Sequence, residues 1–130
     1  MDPRSRSLFL LLIVAQAAHS LEEFAFRLYD VLAPARAIGE AFGFGDRPAG
    51  FAVFNGLLLL FALWCWLARV RPGRSGARGL AWFWALLEAG NSVGHLAFAI
   101  EAGGYFPGLA TSFVLLPLSG ALISTLLRRA

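Results

Sequence analysis

The sequence predicts an all-α integral membrane protein whose four transmembrane helices form one domain over residues 1–130. Three observations carry this. Of the 130 residues 58% are hydrophobic, and the mean hydropathy is +0.68. The apolar residues fall in four blocks, about 7–29, 48–68, 79–100 and 107–127, each near the ~20 residues that a helix needs to cross a ~30 Å hydrocarbon layer. All eleven basic residues are Arg, and eight of them (Arg4, Arg6, Arg69, Arg71, Arg74, Arg78, Arg128, Arg129) lie in three regions that alternating spans bring to one side. The positive-inside bias makes that side, with both termini, cytoplasmic in a multi-pass protein of the cell membrane.

The first block begins at Ser7 after Arg4 and Arg6. Those arginines, the apolar run Leu8–Val14 and the Ala15-Gln16-Ala17 triplet have the form of a secretory signal. Polar residues at helical spacing continue through the supposed cleavage site, so the segment is expected to stay attached. From Asp30 to Arg47 a long connection holds Pro34, Gly39, Gly43 and Gly45 among Phe and Ala residues, the composition of a short helix or lid at the outer interface.

The second block, Pro48–Ala68, ends in Trp64 and Trp66, and the third, Gly79–Ile100, begins with Trp82 and Trp84. All four Trp are expected at the cytoplasmic interface, on either side of the Arg-rich turn around Pro72-Gly73. The hairpin Gly103–Gly108 is short, so the third and fourth spans must be antiparallel neighbours. The net charge of +3 and the basic pI reflect topology and contact with anionic lipid headgroups, and no nucleic-acid partner is expected. Cys65 is the only cysteine, which excludes an internal disulfide and multi-Cys metal sites and suggests an inert core thiol.

Function is marked by polar residues that a membrane span tolerates poorly. An ionisable group at the bilayer centre costs roughly 3 kcal/mol on insertion scales. At 100° per residue Gln16, His19, Glu23, Arg27 and Asp30 fall on one stripe of the first helix, with Glu22 to one side. Glu88, Asn91, Ser92 and His95 share a face of the third, whereas Glu101 points away near the outer end. At 1.5 Å per residue His19, Glu23, Asn91 and His95 lie ~18–24 Å from the cytoplasmic ends of their helices, Glu88 is shallower, and Asn55 of the second span reaches a similar level. Thr111 and Ser112 sit slightly nearer the outer surface. These residues are expected to converge around one cavity. Glu23–Arg27 and Arg27–Asp30 are ready-made ion pairs, which leaves the last two out of the chemistry.

The stretch His19-Ser20-Leu21-Glu22-Glu23 resembles the motif that names the HXXEE family of small bacterial and fungal membrane proteins. The four-span layout is similar over most of the chain, as are Asn91-Ser92-Val93-Gly94-His95 and the Tyr105-Phe106-Pro107-Gly108 turn. The resemblance marks His19, Glu22 and Glu23 without implying a reaction.

Four functions suit such a cluster. The first is an enzyme acting on a lipid-soluble substrate (isoprenoid, sterol-like or fatty) by general acid–base chemistry at His19, Glu22, Glu23, Glu88, Asn91 and His95. A carboxylic acid in an apolar site can protonate an alkene or open an epoxide while a second carboxylate takes a proton, giving isomerisation, cyclisation or hydrolysis. In composition alone the inventory resembles that of the emopamil-binding sterol isomerases. The second function uses His19, Glu23, Glu88 and His95 to hold a divalent metal, Zn²⁺, Fe²⁺ or Mn²⁺, although HxxE and ExxNxxxH depart from the paired Glu-x-x-His order of di-metal bundles. The cofactor is thus either none or such a metal. The third is a transporter or binding protein, which at this size would need oligomers. The fourth is a polar network that only fixes helix register. Asn55, Thr111 and Tyr105 are expected to border the substrate, with aromatics among Phe24, Phe26, Phe51, Phe54, Phe98 and Phe113 as walls. Gly90-Asn-Ser-Val-Gly94 is a GxxxG motif that favours close packing within the bundle over a homo-oligomer.

Overall fold

The computed structural model describes residues 1–128; Arg129, counted above among the topology-setting arginines, and Ala130 lie outside the described residues. Within them the chain is all-helical, with no strand: α1 Pro3–Ala25, α2 Leu28–Val31, α3 Ala33–Gly43, α4 Arg47–Cys65 continued by a π-helical turn Trp66–Val70, α5 Ala77–Ala102 and α6 Leu109–Leu127. Three helical stretches are long and apolar enough to cross a membrane: Pro3–Ala25, Arg47–Val70 and Leu109–Leu127.

Local sequence explains where these helices begin and stop. Asp2 accepts the Ser5 amide at 3.1 Å and Pro3 opens the first turn of α1, a favoured N-terminal arrangement. The first helix ends at Ala25, four residues before the expected Tyr29, because Arg27 takes a left-handed conformation at φ 59°. The chain then turns into α2 and α3, so the connection expected as a short helix or lid is helical. Arg27 pairs with Asp30 at 2.6 Å, and Arg47 bridges Asp30 at 3.1 Å and Glu40 at 2.8 Å. The Arg27 guanidinium holds the Asp30 carboxyl below its usual range. The expected Glu23–Arg27 pair does not form; with the helix broken at Phe26 and Arg27, Glu23 turns inward beside two histidines.

α3 folds back along α4 through a contact without side chains. A Cβ added to Gly50 would run into the Gly39 carbonyl and the Gly43 amide, so only glycine permits this approach. α1 packs against α4, α5 and α6, and α5 and α6 are neighbours, as the short hairpin required.

The interior is layered along α1. Phe9 and Leu12 belong to a core with Ala62, Cys65, Trp84, Leu115 and Leu122, and Leu28 and Tyr29 to a smaller one with Ala35 and Phe51. Between them lies a buried polar layer: Gln16, His19, Ser20, Glu23, Asn55, Glu88, Ser92, His95 and Ser112. Trp84, expected at the interface with the other three Trp, is instead 2% exposed in the larger core, because its position on α5 faces α1 and α4 rather than outward. Cys65 is buried and free.

The exterior is apolar. Leu21, Leu60, Phe113 and Ile100 are 64–81% exposed, a surface that favours lipid over water by about 25 cal/mol per Å². α5, expected as a span, is 26 residues long but is not among the helices apolar enough by composition. Its inward face carries Glu88, Ser92 and His95 while Leu86, Leu87, Val93 and Ile100 are exposed.

Candidate functional site

His19 and Glu23 stand one turn apart on α1, and their side chains meet. Glu23 Oε1 lies 3.2 Å from His19 Nε2 and 3.0 Å from His95 Nε2 of α5. The two imidazoles contact edge to face, with centroids 4.7 Å apart and planes at 85°. All three residues are buried. What lets the rings meet is Gly108, the residue before α6. It has φ 92°, and a Cβ there would lie 2.6 Å from His95 Cε1 and 2.8 Å from His19 Cε1.

A second carboxylate sets the outer end of this group. Glu22 accepts hydrogen bonds from the Ala110 amide at 3.0 Å, the Thr111 amide at 2.8 Å, the Thr111 hydroxyl at 2.5 Å and the Tyr105 hydroxyl at 2.5 Å. It thereby satisfies free N–H groups of the first turn of α6, where a negative charge is favoured. The Thr111 hydroxyl has one hydrogen, and it goes to Glu22. Its oxygen, 2.7 Å from His19 Nδ1, therefore accepts the Nδ1 proton. In neutral His19 this turns the Nε2 lone pair toward Glu23 and Asn91, whose amide nitrogen stands 3.1 Å away.

Glu88 begins a separate chain. The Asn55 amide nitrogen donates to the Phe51 carbonyl at 3.1 Å, and its oxygen accepts from Ser20 at 2.9 Å. Gln16 joins this group to Glu88: with its amide turned to suit both neighbours, the nitrogen donates to Glu88 Oε2 at 2.6 Å and the oxygen faces the Ser20 hydroxyl at 3.2 Å.

Both carboxyls border a cavity of about 550 Å³ between α4, α5 and the α2–α3 connection. Its walls include Leu32, Ile38, Phe51, Phe54, Leu58 and Leu87, and its polar end is formed by Gln16, Glu23, Asn55, Glu88 and Asn91. An apolar pocket with a few convergent polar groups is the usual form of a small-molecule site.

A family described as a protein of unknown function with HXXEE motif matches residues 10–122. The chain belongs to the HXXEE family. No curated protein and no solved structure matches it. In the HXXEE motif of this chain the His and the second Glu meet each other, while the first Glu holds the start of α6.

The cluster differs from its sequence expectation in three respects. His19 and His95 do not line the cavity, because Glu23 stands between them and it. Thr111 and Tyr105 do not border it either; both are bonded to Glu22. Among the described residues the metal-type group is His19, Glu23 and His95, without Glu88, which bonds Gln16 instead. Of the aromatics, Phe51 and Phe54 are the cavity walls. Sequence reasoning overlooked Ser20, whose serine at mid-span was a usable signal, and Gly108, whose role depends on contacts from two other helices.

Burial, and then the hydrogen bond to Glu22, push the Tyr105 phenol up to about 12 from 10.0. A raised value means that the folded state holds this proton more tightly. Its contribution is complete below pH 10 and is lost as pH rises through about 12. Thermal unfolding in detergent should therefore show a loss of stability across that window which Tyr105→Phe removes; an identical alkaline profile in the variant would refute the linkage.

Proposed function

We propose that the protein is a membrane-embedded enzyme that moves protons on a lipid-soluble substrate of isoprenoid, sterol-like or fatty character. The observation that carries this is the pairing, at one end of one apolar cavity, of two buried carboxyls in different surroundings: Glu88, bonded to the Gln16 amide, and Glu23, backed by two imidazoles. That is the arrangement an allylic shift or epoxide opening needs. Glu88 delivers a proton to an alkene carbon or an epoxide oxygen. Glu23 stabilises the cation or removes a proton from the neighbouring carbon, and the proton count closes when the two carboxyls re-equilibrate. Gln16 and Asn91 hold Glu88 and His19 in place. A purely structural network would not need an adjoining apolar cavity of this size.

The test uses the purified protein in lipid nanodiscs with isoprenoid, sterol and fatty substrates in D₂O. Turnover should place solvent deuterium on carbon, and Glu88→Gln should abolish the label. Wild-type protein that stays folded yet leaves every substrate class unlabelled and unaltered would end this proposal.

In the same reading α5 is the fourth span, its low hydropathy arising from the face it turns inward, and both termini are cytoplasmic. At 1.5 Å per residue its 26 residues reach about 39 Å. Reporter fusions at Arg74 and after the C-terminus should report the cytoplasm, and one at Gly45 the outside. Opposite signals from Arg74 and the C-terminus would leave α5 outside the bilayer or unpaired with α6 across it.

A further inference from the structure

His19 Nε2 and Glu23 Oε1 present lone pairs to each other at 3.2 Å. Thr111, committed to Glu22, fixes the His19 proton on Nδ1, on the far side of the ring. Facing acceptors at that distance repel unless a cation, either a proton or a metal ion, lies between them. His95 Nε2 points at the same oxygen from 3.0 Å, and its Nδ1 is buried without a partner. Without an ion this contact is a hydrogen bond from Nε2 to Glu23; with the ring hydrogen on the unpartnered Nδ1 instead, Nε2 becomes a lone-pair donor.

We propose that His19 Nε2, Glu23 Oε1 and His95 Nε2 bind one divalent transition-metal ion, of the kind held by two His and one carboxylate, such as Zn²⁺ or Fe²⁺. The two donor edges that Glu23 makes fit such an ion. Ligands at bond lengths of about 2.1 Å are about 3.0 Å apart along an octahedral edge and about 3.4 Å apart along a tetrahedral one. The two edges, 3.0 and 3.2 Å, lie in that interval. The surroundings also fit. A metal-bound imidazole is normally oriented by a hydrogen bond from its other nitrogen, and His19 has one, to a hydroxyl that a carboxylate holds in turn. Gly108 leaves the space both rings occupy.

This inference rests on the preceding reading of the cluster as a chemical centre and sharpens its roles. Glu23 becomes a ligand at the border of the cavity and Glu88 the group that carries the proton. The ion would supply a Lewis acid for an oxygen-bearing lipid. Asn91, now 3.1 Å from His19 Nε2, would give up that contact and keep its place beside Glu88.

The experiment measures metal directly, so that it is separate from any turnover assay. Full-length protein purified in detergent is analysed for metal, then stripped and titrated with Co²⁺, whose visible absorption reports coordination by nitrogen and oxygen ligands. About one ion per chain is expected. Glu23→Gln and His95→Gln should each reduce bound metal to background while eluting as single folded species. Thr111→Val, which touches no metal, should weaken binding by about 10–100-fold. Glu88→Gln should leave stoichiometry unchanged. Folded wild-type protein that carries no metal and takes up no Co²⁺ overturns the proposal, as does binding that survives both ligand substitutions. Metal binding without turnover would uphold this site and sink the enzymatic reading; turnover by metal-free protein would do the reverse.

Discussion

Glu23→Gln should abolish activity and leave the protein folded. The side chain keeps its volume and one acceptor oxygen, so the contact with His95 at 3.0 Å can be retained. An amide neither exchanges a proton at neutral pH nor supplies an anionic ligand, so both roles proposed for Glu23 fail together. Loss of general acid–base assistance alone is worth about 10²–10⁴-fold in rate, and turnover should fall by at least about 100-fold with the unfolding temperature little changed. The contrast is Glu22→Gln. That carboxylate accepts four hydrogen bonds at the start of α6, and bonds to a charged group are worth about 1.5–3 kcal/mol each. Its substitution should lower stability first and activity only as the His19 ring loses its anchor. A folded, active Glu23→Gln protein beside a stable, inactive Glu22→Gln protein would exchange the two assignments.

Gly108→Ala should damage the fold and the histidine cluster together. The residue has φ 92°, a region that costs an L-residue roughly 1–2 kcal/mol. The new Cβ would also stand 2.6 Å from His95 and 2.8 Å from His19, and overpacking of this kind costs about 1–3 kcal/mol. The two together predict destabilisation of about 2–5 kcal/mol, read as a lowered unfolding temperature in detergent. Neither ring can withdraw freely, because His19 is tied to Thr111 and His95 to Glu23. Bound metal and turnover should therefore fall even at temperatures where the variant is folded. Gly45→Ala is the control, since Gly45 also has positive φ but would place its Cβ in open space; equal losses in both variants would show that backbone strain, not the histidine contact, accounts for the effect.

Much of the polar layer was legible because helix geometry converts spacing into direction. Gln16, His19 and Glu23 recur at intervals of three and four, as do Glu88, Asn91, Ser92 and His95, and the structure turns both sets inward. The 100° step from Glu22 to Glu23 likewise separates their surroundings. Periodicity carries no information about which groups on different helices touch. It did not show that Thr111 and Tyr105 bond Glu22, and it paired Glu23 with Arg27 across a point where the helix stops. It also treated α5 as one more apolar span, although the polar face that marks the site is what lowers its hydropathy.

By itself the sequence determined that the chain is helical, that its outer surface is apolar, and that His19, Glu23, Glu88 and His95 belong inside, because the cost of charge in hydrocarbon leaves such residues no other stable direction. The tertiary structure alone decided their partners. Glu22 meets the first turn of α6 and Glu23 meets two imidazoles because the Gly103–Gly108 hairpin sets where α6 begins, and because Gly108, lacking a side chain, lets His19 and His95 close on one oxygen. Such contacts depend on the depth and rotation of three helices at once, to within about an ångström, and no spacing along one helix encodes that.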